Sequence, residues 1–189
     1  MESTQTFKIL FINVIPFAII VYGIYLSFWT PILKDISNCE NKPYSFARAQ
    51  LMWWTLIIVS SFSAYYGYNN GLPEINKSLL ILLGISLGTT TASRIIDNTD
   101  INTDKVRHQD SNDEKLFWTN ILSDENGISV HRFQALIFNI LFGVIFITEF
   151  ISSAGKVFIS FTPTELALMG ISSAAYVGIK LNENKTVDK

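Results

Sequence analysis

Cysteine, histidine and charge are all scarce in this chain, and each shortage removes a class of chemistry. One cysteine in 189 residues, Cys39, closes no intrachain disulfide and builds no cysteine zinc site. It reads as an ordinary free thiol. The two histidines, His108 and His131, have no ligand-spaced partners, so neither a metal centre nor a histidine-based catalytic set is expected. Charged residues make up 16% of the chain, and the net charge of −2 lacks the basic balance of a nucleic-acid binder. No phosphate-cradling glycine loop, nucleophile motif or pair of acids placed for hydrolysis is visible. Asp100-Ile101-Asn102-Thr103-Asp104 has the opening spacing of a calcium loop. Lys105 and Ser111 stand where that loop needs glycine and glutamate, so a charged, solvated loop is the better reading. No catalytic residue, metal or cofactor is assigned, and an enzyme is not expected.

Apolar residues are what the chain has in quantity. They make up 49% of it, and the mean hydropathy is +0.30. They gather in runs, each near the length of a bilayer crossing, from which charges are nearly absent. The first run, 9–29, is about 21 residues or about 31 Å as a helix, too long for the core of a cleaved signal peptide. Pro16 should kink it by removing one intrahelical donor. Further spans are expected over 47–66, 78–96, 132–150 and 163–180. Ser45 is a plausible cap for the second, and Asn69-Asn70-Gly71-Leu72-Pro73 ends it. Thr162-Pro163-Thr164-Glu165 reads as a capping box that starts the fifth. The fold class is therefore all-α: a polytopic membrane protein with five transmembrane helices forming a single membrane domain.

Only 97–127 is polar over any distance. Its first half, through Glu114, lacks apolar periodicity and is expected to be a flexible loop. Its second half carries Leu116, Phe117, Trp118, Ile121 and Leu122 on one side of a helical projection, which fits a short interfacial helix over about 114–123. Eleven of the 14 lysines and arginines fall on the side of this loop, and only Lys8, Lys77 and Lys156 fall on the other. That asymmetry orients the protein in a cell (inner) membrane with its N-terminus outside and its C-terminus and the 97–127 loop in the cytoplasm. In this arrangement all four tryptophans lie near the cytoplasmic interface.

Two signatures recur in order. Ser45-Phe46-Ala47-Arg48-Ala49-Gln50 is matched by Ser129-Val130-His131-Arg132-Phe133-Gln134, and Leu83-Gly84-Ile85-Ser86 by Met169-Gly170-Ile171-Ser172. Arg48 and Gly84 are 36 positions apart, Arg132 and Gly170 38. A duplicated helical hairpin, with both copies in the same orientation, accounts for this. These motifs resemble an uncharacterised family of small bacterial multi-spanning membrane proteins, over roughly 43–181. The resemblance implies a helical membrane fold and brings no activity with it.

Candidate functional residues follow from the repeats. An arginine in the first turn of a helix opposes the helix dipole, so Arg48 and Arg132 need a lipid headgroup, a carboxylate such as Asp97 or Asp124, or a helix-end carbonyl. Gln50 and Gln134 could donate across a helix contact. Gly84 and Gly88, with Gly170, Ala174 and Gly178, make stripes of small residues suited to close packing. Ser86, Thr89, Ser172 and Ser173 either belong to those packing faces or line a wet path. Glu149, the one carboxylate placed within an apolar run, is a candidate for a cation-attracting ring or a headgroup contact. Asn13 and Asn139 are expected to hydrogen-bond between helices. The function expected is a homo-oligomeric ion channel or pore, with the lipid bilayer and other copies of the chain as partners. The alternative is a non-conducting anchor, sensor or effector that meets a cytoplasmic protein through its loop.

Overall fold

The computed structural model describes residues 2–103, 105–111 and 116–184. These are almost entirely helical. Helix α1 (Glu2–Ile9) passes through a π-helical turn (Leu10–Val14) into α2 (Ile15–Trp29), followed by a 3-10 turn (Pro31–Leu33). Then come α3 (Phe46–Asn69), α4 (Lys77–Asn102), α5 (His108–Ser111) and α6 (Phe117–Leu122). A two-residue hairpin, β1 (Ser123–Asp124) and β2 (Gly127–Ile128), leads into α7 (Val130–Ser152), and α8 (Pro163–Glu183) follows. Three helical stretches are long and apolar enough to cross a membrane: Gln5–Trp29, Lys77–Asn102 and Val130–Ser152.

Helices α3, α4, α8 and α7 form a closed square, each touching the next. Neighbours within a hairpin are antiparallel, and neighbours across hairpins are parallel. The hydrogen bonds between hairpins show the latter directly. Asn76 Nδ2 donates to Ile159 O (3.0 Å), Lys180 Nζ to Asp97 Oδ2 (2.9 Å) and Asn184 Nδ2 to Asp100 Oδ2 (2.7 Å). These pairs join residues 83 or 84 positions apart from one end of α4 to the other. A nearly constant separation along the whole length requires α4 and α8 to run in the same direction. Trp54 Nε1, donating to Asn139 Oδ1 at 2.7 Å, links α3 and α7 at a separation of 85.

The square has an apolar half and a polar half. Near the two hairpin turns the core is Trp54, Leu79, Leu82, Phe142, Phe146, Phe161, Leu166 and Met169 with their neighbours. Trp54 is fully buried there, so it is a core residue and not the interfacial anchor expected of all four tryptophans. Trp29 and Trp118 are exposed. A smaller cluster of Phe46, Ala47, Ile121, Ala135 and Tyr176 lies toward the opposite end, where the 31–45 segment, α5 and α6 cover the bundle.

The N-terminal helix lies against α3. Only 6% of its apolar window is buried, so it presents a nearly continuous apolar exterior. Beside Pro16 the helix widens into the π turn rather than continuing as regular α-helix. In the π turn Ile15 N–H reaches back to Leu10 O, five residues away. The next bond in that series would need a donor on Pro16, which has none, and it would leave Phe11 O free. Ser63 Oγ of α3 donates to that carbonyl at 3.0 Å. One turn along α3, Gly67 lets the helices approach. A Cβ at Gly67 would stand 2.7 Å from Ile12 Cγ1 and 2.9 Å from Phe11 Cβ.

Helix ends depart from expectation in one direction. The charged residues Asp97, Asp100 and Glu183 look like stop signals, yet α4 continues to Asn102 and α8 to Glu183, while α3 runs past the expected 66 to stop at Asn69. The three acids find partners inside the protein, so the helix continues through them. The expected flexible loop is corrected as well. Its first residues are the last turns of α4, and 105–111 is fastened to the bundle, with Arg107 and Gln109 buried. Residue 104 and residues 112–115, part of that loop and the start of the expected 114–123 helix, lie outside the described residues. Within the stretch expected to hold a short interfacial helix, α6 forms over Phe117–Leu122, burying Ile121 and leaving Trp118 exposed. The capping box of α8 forms, Thr162 Oγ1 accepting from Glu165 N and Glu165 Oε2 from Thr162 N.

Candidate functional site, a buried charge cluster between two parallel helices

The site lies where α4 and α8 run side by side into the polar end. Ser86, Thr89, Ser93, Asp97 and Asp100 recur at three or four positions along α4, one face of a helix, and all five are buried. Ser172, Ser173, Tyr176, Lys180 and Glu183 make the facing stripe of α8 and are buried too.

Lys180 is the centre. Its ammonium donates to Asp97 Oδ2 at 2.9 Å, Asp35 Oδ2 at 3.0 Å and Ser93 Oγ at 2.8 Å, which uses all three of its protons. Its place in the last turn of α8 also suits a cation. Asp97 accepts a second bond, from Gln109 Nε2 at 2.7 Å. Ser93 Oγ lies 3.5 Å from Tyr176 Oη. Asp35 reaches the cluster from the 31–45 segment, which is folded back on itself by bonds from Asp35 N to Pro43 O and from Ser45 N to Leu33 O. Burial alone would raise the Asp35 carboxyl. The Lys180 charge, its contact with Asp97 and the hydrogen bonds from Lys180 and Ile36 N–H outweigh burial and hold it below the ordinary carboxylate value.

Further ion pairs surround this centre. Arg132 donates to Glu183 Oε2 at 2.6 Å and stands over the Tyr176 ring, 5.4 Å from its centroid. Asp100 is held by Lys105 at 2.8 Å and by Asn184. Arg107 forks onto Asp110 with two bonds of 2.7 Å and donates to Ile36 O at 3.2 Å. Ser37, Asn38 and Cys39 complete the join between the 31–45 segment and α5 through Gln109 O and Asp110. A polar cleft of about 20 Å³, lined by Asp35, Gln109, Tyr176, Lys180 and Glu183 among others, opens beside the cluster. It has room for about one water molecule.

No family model, curated protein or solved structure matches the chain. The site therefore rests on its own geometry.

That geometry sorts the residues picked out in the sequence. Ser86, Thr89, Ser172 and Ser173 come together, inside the chain and along the α4–α8 seam. Thr89 Oγ1 donates to Ile85 O, whereas the hydroxyls of Ser86 and Ser172 are buried without a hydrogen-bond partner. Gln50 Nε2 donates to Ser173 Oγ at 3.3 Å, leaving Gln50 Oε1 buried and unpartnered. Gln134 is exposed. Arg132 finds a carboxylate, but it is Glu183 and neither Asp97 nor Asp124; Arg48 reaches the carbonyl of Ile32 at 3.4 Å. Asn139 bonds between helices as expected, and Asn13 is exposed. Glu149 is exposed near the end of α7, away from the seam.

The small residues behave differently from the serines. A Cβ at Gly84, Gly88 or Gly178 would meet nothing within 4 Å, and one at Gly170 only Ile85 at 3.8 Å. Ala174 is exposed. These residues pack nothing tightly within one chain. The glycines that do are Gly23 against Leu56, Gly67 against the π turn, Gly143 against Trp53 and Gly155 against Tyr68.

The Lys180 cluster itself was missed in the sequence. Its signal was the continuation of the Ser86–Ser93 spacing into Asp97 and Asp100, matched by Tyr176, Lys180 and Glu183 on the partner helix.

Proposed function

We propose that the chain is a five-span membrane protein of the inner membrane that conducts protons or small cations as a homo-oligomer, along the α4–α8 seam of each copy. The observation that carries this reading is the buried polar column from Ser86 and Ser172 through Ser93 to Lys180, Asp35 and Asp97, with two hydroxyls left unpartnered. Ionisable groups buried between helices at the end of a span are costly to keep out of water, and on membrane helices such groups point to ion and proton paths. Beyond Ser86 the seam enters the apolar core of Leu82, Leu79, Phe161 and Met169. This arrangement corresponds to a closed state, in which an apolar constriction must move before ions pass.

Three of the five spans are the helices whose length and composition suffice. Helices α3 and α8, about 36 and 32 Å long, complete the square beside them and would cross with them. The near-constant separation of cross-hairpin partners supports a duplicated hairpin with both copies in the same orientation. The lysine and arginine bias supports a cytoplasmic polar end. Self-association is supported by the outward Gly84, Gly88, Ala174 and Gly178, which have no packing role inside the chain. Glu149, exposed at the opposite end, remains available to a neighbouring copy or to entering cations.

Flux into proteoliposomes, read with a pH dye and by conductance, tests the reading. Ser86→Ala with Ser172→Ala should lower flux at least tenfold while leaving the fold intact, and Asp97→Asn should alter its pH dependence. Unchanged flux in the double variant removes the seam as the path, and no flux under any ionic gradient or voltage rejects the class. A second reading, a non-conducting sensor or effector, is favoured by the density of ion pairs on the polar end. In that case deleting 98–113 abolishes partner capture, a loss that a pure pore would not require.

A further inference from the structure

A groove of about 450 Å³ opens on the outside of the bundle at the same end, between the Pro31–Leu33 turn, α3 and α4. We propose that it holds one anionic phospholipid of the adjoining leaflet, with its phosphate on Arg48 and Arg94 and an acyl chain along Ile32, Leu51 and Met52. This rests on the reading of the helices as spans, and it is independent of whether the protein conducts.

The two guanidinium groups are brought to one level by the helix packing. Thr90 Oγ1 of α4 donates to Ala47 O in the first turn of α3 at 3.1 Å. Arg94, one turn beyond Thr90, therefore sits beside the start of α3, where Arg48 is. Both line the groove. Arg48 makes one long bond to Ile32 O, and neither arginine forms an ion pair among the described residues.

The nearest acids cannot serve them. Asp35 and Asp97 share a narrow crevice with both arginines, but Lys180 holds both carboxylates, at 3.0 and 2.9 Å. Counting those two acids as charged against Lys180, Arg48 and Arg94 leaves this corner with at least one positive charge. A phosphate diester supplies the missing anion, and two guanidinium forks suit its oxygens. The rest of the lining is apolar apart from Thr55 and Thr90, whose hydroxyls are already bonded to Leu51 O and to Ala47 O and Ser86 O. One charged end above an apolar floor, at the level where helices leave the bilayer, matches a lipid better than a free anion. Basic pockets between spans on the cytoplasmic side are suited to acidic headgroups.

Native mass spectrometry of the detergent-solubilised protein tests this with phosphatidylglycerol and phosphatidylcholine of identical chains. One phosphatidylglycerol should bind per chain in preference to phosphatidylcholine. Arg48→Gln with Arg94→Gln should weaken phosphatidylglycerol roughly 25-fold, about fivefold per arginine, and phosphatidylcholine, whose choline offsets the phosphate charge, by much less, so that the preference is lost. Thr55→Trp, which fills the groove, should weaken both. Neither arginine is in an ion pair among the described residues, so the double variant should melt with the wild type; a preference lost only together with the fold counts against the site. Equal binding of the two lipids, or a preference that survives the double variant, overturns the proposal. Displacement of the lipid by excess inorganic phosphate overturns the lipid in favour of a free-anion site. Carbonate extraction of membranes separates the two failures: a chain that resists extraction yet shows no lipid preference refutes this site alone.

Discussion

Replacing Lys180 by methionine is the sharpest perturbation of the polar end. The two side chains have similar length, so packing is largely kept while the charge and three donors are lost. Asp35 and Asp97 are then left in the interior without a counter-ion, and Ser93 loses its donor. Breaking a buried ion pair by removing one partner costs about 3–5 kcal/mol, because the remaining charge stays desolvated. Lys180→Met should therefore destabilise the folded chain by about that amount at pH 7. Adding Asp35→Asn and Asp97→Asn removes the stranded charges, so the triple variant should recover most of the loss and lie within about 2 kcal/mol of the wild type. Acid should narrow the gap. The Asp35 carboxyl is held below its ordinary value of 3.8, so its contribution is fully present above that pH and is lost as pH falls through the lower, folded value. The Asp35 contribution to wild-type stability should thus be lost below about pH 4, while the methionine variant has no such gain to lose. Denaturant titration in micelles, followed by tryptophan fluorescence, measures each quantity. A single variant within about 0.5 kcal/mol of the wild type, or a triple variant worse than the single, would refute the assignment of Lys180 as the counter-ion that holds this end together.

The contact of the N-terminal helix with α3 gives a second pair of predictions. Gly67→Ala places a Cβ against Phe11 and Ile12 and should cost about 1–3 kcal/mol. Ser63→Ala strands the Phe11 carbonyl and should cost about 1–2 kcal/mol. Either variant should lower energy transfer between labels on the N-terminus and the 70–76 turn, and unchanged transfer with unchanged stability would remove the proline-compensation argument. Gly84→Ala and Gly88→Ala should leave the single chain as stable or raise its stability by up to about 1 kcal/mol each, since glycine is a poor helix former and nothing lies nearby. If the outer face of α4 packs between copies, the same changes should shift the population toward monomer in analytical ultracentrifugation. An unchanged distribution would take that face out of the interface.

The sequence determined the elements of this protein well and their ends poorly. Apolar runs free of charge, bounded by Pro31, Asn69-Asn70-Gly71 and the Thr162–Glu165 cap, mark helices because periodicity and capping are local properties. Pro16 marked its own disturbance for the same reason. Whether Asp97 and Asp100 stop α4 or continue it is not local. A carboxylate ends a helix when it must face water and prolongs one when partners wait alongside, here Lys180 in the last turn of α8 and Asn184 just beyond its end. The same holds for the repeated motifs. Arg48 and Arg132 occupy equivalent places in sequence, yet one is paired with Glu183 inside the bundle and the other faces an open groove, because α8 ends beside α7 and the 31–33 turn leaves a gap beside α3. The glycines of the two G-I-S segments suggested packing by their size alone, and only the arrangement of the square decided that their serines face inward, that Gly84 faces outward and that Gly170 is half-buried beside Ile85. Composition and spacing placed each side chain on a helix face; which face meets another helix, and which charge finds its partner there, depends on contacts between residues 51 to 145 positions apart.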